Sequence, residues 1–147
     1  PAEIRHEMVK LALRDYSKFI PFDYEVKRRE FSYSAVTLKS LSEKYPEREF
    51  YFIIGQDSLN YFDKWYHPDE IVKYAKIPVF PRESDKTLNE EIKAMQKKIP
   101  GEYLGIEMPL IGISSTEIRE RVSEKKSIRL MVPEEVRKYI KERGLYT

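Results

Sequence analysis

Apolar residues along the chain recur in two ways: spaced at helical intervals, or gathered into short unbroken runs. Ile4, Met8, Leu11 and Ala12 share one face and predict a helix over residues 2–15. Ala35, Leu38 and Leu41 predict a second over 34–45, closed by Pro46. Residues 69–76, with Pro68 ahead of them, read as a third. Leu88, Ile92, Met95 and Ile99 follow an amphipathic spacing. Residues 114–122 form another helix, opened by Ser114. The last one has Pro133 at its start and Gly144 just past its end, the asymmetry expected of helix termini.

The unbroken runs read as strands. Phe50-Tyr51-Phe52-Ile53-Ile54 is the clearest, and its continuity predicts a strand buried on both faces of a parallel sheet. Ile77-Pro78-Val79-Phe80 is a second, and its proline predicts an edge or a strand end. Residues 103–108 and 110–113 are strand-like, 19–26 read as extended, and 82–86 as a polar loop. Strands alternate with helices and nothing repeats, so the expected fold class is α/β: a parallel sheet flanked by helices, in a single domain over 1–147.

Composition narrows the picture. The chain has 147 residues, 41% hydrophobic and 35% charged, which supports one ordinary core. It has no cysteine, so neither a disulfide framework nor a thiolate metal site is available. The net charge is +2 with both signs interspersed, which gives no nucleic-acid stripe. No apolar run reaches the roughly 20 residues of a membrane helix and no signal peptide is expected, so the cytoplasm is the expected compartment. The first residue is Pro1, which is expected of a processed chain or of a piece of a longer one.

In sheets of this class ligands bind beyond the carboxyl ends of the strands. Gly55-Gln56-Asp57 follows the clearest strand. Glycine permits close backbone approach and an aspartate can accept from ribose hydroxyls; a plain turn with Asp57 capping a helix explains the same residues. Ile113-Ser114-Ser115-Thr116-Glu117-Ile118-Arg119 sets hydroxyls and an arginine at a helix start, which suits phosphate. Ser114 and Glu117 equally have the spacing of a capping box. Trp65-Tyr66-His67 is a loop carrying the single tryptophan, either core filling or a platform for an aromatic ring. Ser32-Tyr33-Ser34 opens a helix, where capping is the simplest role. Arg82 follows the second strand, where solvation is the ordinary state. His6 and His67, the two histidines, have no metal-ligand spacing, so no protein-held metal is expected.

In order, these segments resemble the bacterial nicotinate-nucleotide adenylyltransferases of the nucleotidyltransferase superfamily. The residues that carry the resemblance are Ser32-Tyr33-Ser34-Ala35-Val36-Thr37-Leu38, Gly55-Gln56-Asp57, Trp65-Tyr66, Arg82, the stretch Ile113 to Arg119, and the tail with Ser127-Ile128-Arg129 and Val132-Pro133. Ser34 stands where the family has Thr, and Gln56 where Ala is common, which is tolerable if only the Gln56 backbone is used. The resemblance implies a Rossmann-like nucleotidyltransferase fold and adenylyl transfer from ATP, with Mg2+ on the triphosphate, to nicotinate mononucleotide. It implies ATP contacts from Gly55, Asp57, Ile113, Ser114, Ser115, Thr116 and Arg119, with Arg119 catalytic. It implies pyridine-nucleotide contacts from Tyr33, Ser34, Trp65, Tyr66 and Arg82, with no nucleic-acid or membrane partner and a homo-oligomer left open. The family's first strand and G-x-F-D-P-x-H-x-G-H segment have no counterpart here, so this polypeptide alone is expected to lack activity. The alternatives are such a non-catalytic fragment, or a superfamily member acting on phosphopantetheine.

Overall fold

The computed structural model describes residues 1–28, 31–81, 87–109 and 111–147. The chain divides into two compact units, Glu30–Leu110 and a second made of Pro1–Arg29 with Ile111–Thr147.

The first unit holds the sheet. Strands β1 (Ile54–Gly55), β2 (Ile77–Phe80) and β3 (Tyr103–Gly105) run parallel in the order β1-β2-β3. Its helices are α3 (Ser34–Lys44), α4 (Gln56–Leu59), α5 (Pro68–Tyr74) and α6 (Leu88–Lys98), with a 3₁₀ turn at Phe62–Lys64. Leu59, Phe62, Ile71, Ile77 and Val79 are fully buried at its centre. The face of α6 carrying Ile92 and Met95 closes one side, as the spacing predicts. Gly101 passes so close to α5 that a Cβ there would lie 2.6 Å from the Val72 Cβ, so the approach requires glycine.

Two strand expectations are corrected within this sheet. The proline-bearing strand is the central one. In a parallel ladder successive residues address opposite neighbours. Ile77 N–H donates to Glu102 of the β3 side, whereas Lys76 N–H donates to Phe50 and Phe52 N–H donates to Lys76. Pro78 therefore faces the Phe52 carbonyl with a nitrogen that has no hydrogen to give. Only that rung is lost, and Ile77 and Val79 stay in register with Tyr103 and Gly105. The run 50–54 is correspondingly interrupted: Tyr51 makes an isolated bridge with Lys76, and regular pairing resumes at Ile54 opposite Val79. Nor is this run buried on both faces. Ile54 is buried, but Tyr51 is 51% and Ile53 64% exposed; these alternate positions share one face of the run, and that face is left uncovered by the described residues.

The second unit comprises α1 (Ala2–Leu13), α2 (Tyr24–Lys27), α7 (Ser115–Ser123) and α8 (Glu134–Glu142). Met8, Leu11 and Ala12 pack with Ile118, Val122, Val136 and Ile140 around buried Ile128. Residues 19–26 are not extended throughout, since 24–27 turn into α2. Residues 111–114 form no strand, with Ile111 and Ile113 exposed; Leu110 lies outside the described residues. Gly144, at φ +56°, ends α8 in the left-handed conformation that glycine adopts readily.

Candidate functional site

Because all three strands are parallel, their carboxyl ends lie along one edge, marked by Gly55, Phe80 and Gly105. Gly55 is the cap residue of α4, extended at φ −84°, ψ 160°, and the chain turns there directly from strand to helix. Asp57 sits inside the first turn of α4, exposed, and is not its cap. Leu59 and Gln56 point inward from the same turn, Gln56 at 7% exposure. The Gln56 amide donates to the Glu91 carboxylate of α6 at 3.0 Å, and the Thr87 hydroxyl donates to the other Glu91 oxygen at 3.3 Å. The side chain of Gln56 is thus engaged with α6, which does not conflict with the use of its backbone that makes the exchange with Ala tolerable.

The Trp65 loop leaves the 3₁₀ turn and enters α5. Trp65 is half-buried against the core, its ring 5.3 Å from Phe62 and edge-on to Phe52 at 6.1 Å. Core filling therefore accounts for part of its surface, and the remainder stays open. Tyr66 is exposed and lies against Tyr33, with ring centroids 4.1 Å apart and planes 24° from parallel. That stack links the start of α3 to the loop. Tyr33, not a serine, is the cap residue of α3 and makes no side-chain cap bond; Ser34 is the first helical residue, and its hydroxyl has no partner among the described residues. His67 caps α5 in the left-handed region at φ 47°, ψ 60°, its ring edge-on to Tyr66 at 4.3 Å. A histidine held there, directly before Pro68, stores backbone strain of a kind that clusters at ligand-binding loops. Lys98 pairs with Asp63 at 2.8 Å, and this hydrogen bond holds the Asp63 carboxyl below its ordinary pKa. Arg82 lies outside the described residues.

In the second unit, Ser114 caps α7: its hydroxyl accepts from the Glu117 N–H at 3.1 Å. The capping-box reading holds on that side. The N–H groups of Ser115 and Thr116 precede the first intrahelical bond and remain available to an anion. Arg119 is exposed one turn along and donates to the Thr116 hydroxyl at 3.2 Å. It makes no ion pair among the described residues, whereas Arg121 on the same helix pairs with Glu117 and donates to the Ser127 carbonyl. A cavity of about 330 Å³ opens near the other end of this helix, between Val122 and Ile140.

Two strongly perturbed groups lie away from these residues. Lys76 is held protonated well above its ordinary range by Glu49 and, second, Glu102, at the amino end of β2. Burial pushes the Tyr103 phenol up to about 12, and its hydroxyl donates to the Ile99 carbonyl. Both support the sheet. Among the described residues no three His, Cys, Asp or Glu side chains assemble into a metal-holding group, and no described helix is long and apolar enough to cross a membrane.

The sequence profile described as cytidylyltransferase-like matches residues 1–121, a span that takes in the parallel sheet, the strand-to-helix turn at Gly55 and the capped, hydroxyl-rich start of α7, and this makes the chain a nucleotidyltransferase. A Clostridium botulinum (strain Loch Maree / Type A3) protein named "Probable nicotinate-nucleotide adenylyltransferase" is 40% identical over 149 residues, covering 99% of this chain and 74% of that protein. One of the same name from Caldicellulosiruptor bescii is 42% identical over 143 residues, covering 97% and 72%. The chain belongs to the nicotinate-nucleotide adenylyltransferase family. In fold it is similar to Plasmodium falciparum nicotinic acid mononucleotide adenylyltransferase, solved with APC and with NaAD. The TM-score to the APC complex is 0.72 at 23% identity, over 98% of this chain and 75% of that one.

Proposed function

We propose that this protein transfers the adenylyl group of ATP to nicotinate mononucleotide. An oxygen of the mononucleotide's 5′-phosphate forms a bond to the α-phosphorus of ATP. The bond from that phosphorus to the β-phosphate bridge breaks, and pyrophosphate leaves as deamido-NAD forms. The observation that carries this reading is 40% identity across 99% of the chain. Such chemistry asks for positioning and charge stabilisation more than for covalent help. A divalent cation, magnesium in this reading, comes with the triphosphate as part of the nucleotide substrate.

Each candidate residue then has a role. Gly55 lets the nucleotide approach the β1–α4 turn, and Asp57 accepts from its ribose hydroxyls. Ile113, Ser114, Ser115 and Thr116 meet phosphate oxygens with backbone N–H groups and hydroxyls. Arg119 is the catalytic cation. On the pyridine side, the open surface of Trp65 stacks on the ring, beside Tyr33 and Tyr66. The Ser34 hydroxyl and the backbone at Tyr66 receive the carboxylate, a role supported by the Tyr33–Tyr66 stack between their segments. Arg82 contacts the same substrate.

Trp65→Ala is expected to weaken pyridine-nucleotide binding by about 1–3 kcal/mol and ATP binding far less. Separate calorimetric titrations of the two ligands on the folded variant measure this. Equal losses for both ligands would assign Trp65 to the core alone.

Nicotinate mononucleotide is expected to exceed nicotinamide mononucleotide in kcat/KM by at least roughly tenfold, since donors aimed at an anion lose a charged partner with the amide. Ser34→Ala should narrow the ratio. Equal efficiencies for the two substrates in the parent enzyme would refute the carboxylate site.

A further inference from the structure

The turn that bears Asp57 is short. α4 is a four-residue helix, and its cap residue, Gly55, offers no side chain to fix the first N–H groups. So brief a helix has little stability of its own and depends on what holds it from outside. Its inward side chains supply that hold. Residues 56 and 59 lie on one face of the turn, and both are buried, while Asp57 and Asn60 face solvent. Fixing Gln56 therefore fixes the backbone from which Asp57 projects.

What fixes Gln56 is a hydrogen-bonded chain to α6. Its amide donates to Glu91, a carboxylate acceptor, at 3.0 Å. The second Glu91 oxygen accepts from Thr87, the cap residue of α6, whose carbonyl accepts from the N–H groups of Glu90 and Glu91 at 2.9 Å each. Glu91 is thereby oriented by its own helix start before it meets Gln56. A charge-assisted bond to a preoriented, partly buried acceptor is directional. Leu59 adds apolar packing to the same turn but no angular preference of this kind.

We propose that Gln56, through Glu91, is a positioning residue: it locks the β1–α4 turn against α6 and so sets Asp57 for the adenosine ribose. This rests on Asp57 having the ribose role argued above. Gln56 itself touches no substrate. The pair acts on ATP only through the hydroxyls that Asp57 receives.

The test compares Gln56→Leu, Asp57→Asn, their double variant and the swapped pair Gln56→Glu with Glu91→Gln in the full-length enzyme. KM and kcat are read for ATP and for 2′,3′-dideoxy-ATP, and folding is checked by thermal melting. Gln56→Leu is expected to raise KM for ATP roughly tenfold with kcat little changed, the range of one lost bond to a charged acceptor. The increase should vanish with dideoxy-ATP, and the double variant should match Asp57→Asn alone. The swap re-forms the bond with donor and acceptor exchanged and should restore KM for ATP; it also serves if Gln56→Leu does not fold. A folded Gln56→Leu with unchanged KM for ATP, equal penalties on both nucleotides, or no rescue by the swap overturns the proposal while Asp57→Asn keeps its effect. If Asp57→Asn leaves KM for ATP unaltered, the ribose reading fails first, and the positioning role falls with it.

Discussion

Replacing Arg119 with alanine is expected to lower kcat by roughly 100- to 1,000-fold and to leave KM for ATP within about threefold. The expectation starts from what Arg119 does not do. It is exposed, it donates to the Thr116 hydroxyl within its own helix, and it pairs with no carboxylate among the described residues. Arg121, two positions on, is engaged by Glu117 and the Ser127 carbonyl, and Arg137 by Glu134. An arginine fork left without an anion beside a helix start is suited to phosphate oxygens. Charge on those oxygens changes as the bond to pyrophosphate breaks, so a cation placed there gains most in the transition state, and its removal shows in turnover. Arg119→Lys should recover part of the rate, because charge returns without the planar fork. Steady-state kinetics over a range of ATP concentrations decide it. Unchanged kcat with a raised KM would make Arg119 a ground-state contact only. Arg121→Ala is the control, and its turnover should stay near that of the parent.

The helices were legible because their signal is local. Leu88, Ile92 and Met95 already describe a face, and the structure buries Ile92 and Met95 on it. The same holds for the capping box at Ser114, where donor and acceptor are three residues apart. The errors concern the short extended stretches, among them 24–27, which is helical, and 111–114, which is no strand, and the neighbours along the sheet. A run such as Phe50 to Ile54 states that its residues are apolar, but not what covers each of its faces, so the exposure of Tyr51 and Ile53 was hidden. Pro78 misled for a related reason: a missing N–H removes one rung toward one neighbour, and a central strand survives that.

The candidate site divides in the same way. Hydroxyls at a helix start and a glycine after a strand carry their own chemistry at short range. Grouping Tyr33 with Tyr66 needed the family resemblance, since no spacing relates a helix start to a loop so far along the chain. The hydrogen bond from Gln56 to Glu91 spans 35 residues, and no local pattern announces it. The left-handed backbone of His67 was likewise invisible, because histidine before proline has no special preference for it.

Phe62→Ala is expected to destabilise the chain by about 3–5 kcal/mol, the range for emptying a buried aromatic site. Phe62 is 0% exposed and stands at the junction of the site and the core. Its ring lies 5.3 Å from Trp65 on one side and edge-on to Tyr103 at 6.1 Å on the other. The surroundings cannot close over the gap easily. Tyr103 is held by β3 pairing and by its bond to Ile99, and Leu59, Ile71 and Ile77 are already fully packed. The side chain with most freedom to move in is Trp65, which is only half-buried. A Trp65 ring that sinks into the vacated space no longer offers its open surface to a pyridine ring. The variant should therefore lose pyridine-nucleotide affinity along with stability, and keep more of its ATP affinity. Phe62→Leu, which retains most of the volume, should recover much of the stability. Urea unfolding followed by tryptophan fluorescence reads the stability, and titration of the folded variants with each nucleotide, followed by the same fluorescence, reads the affinities, since Trp65 is the single tryptophan and reports its own environment. A loss below about 1 kcal/mol would place Phe62 among surface substitutions and leave the Trp65 platform without Phe62 as its support.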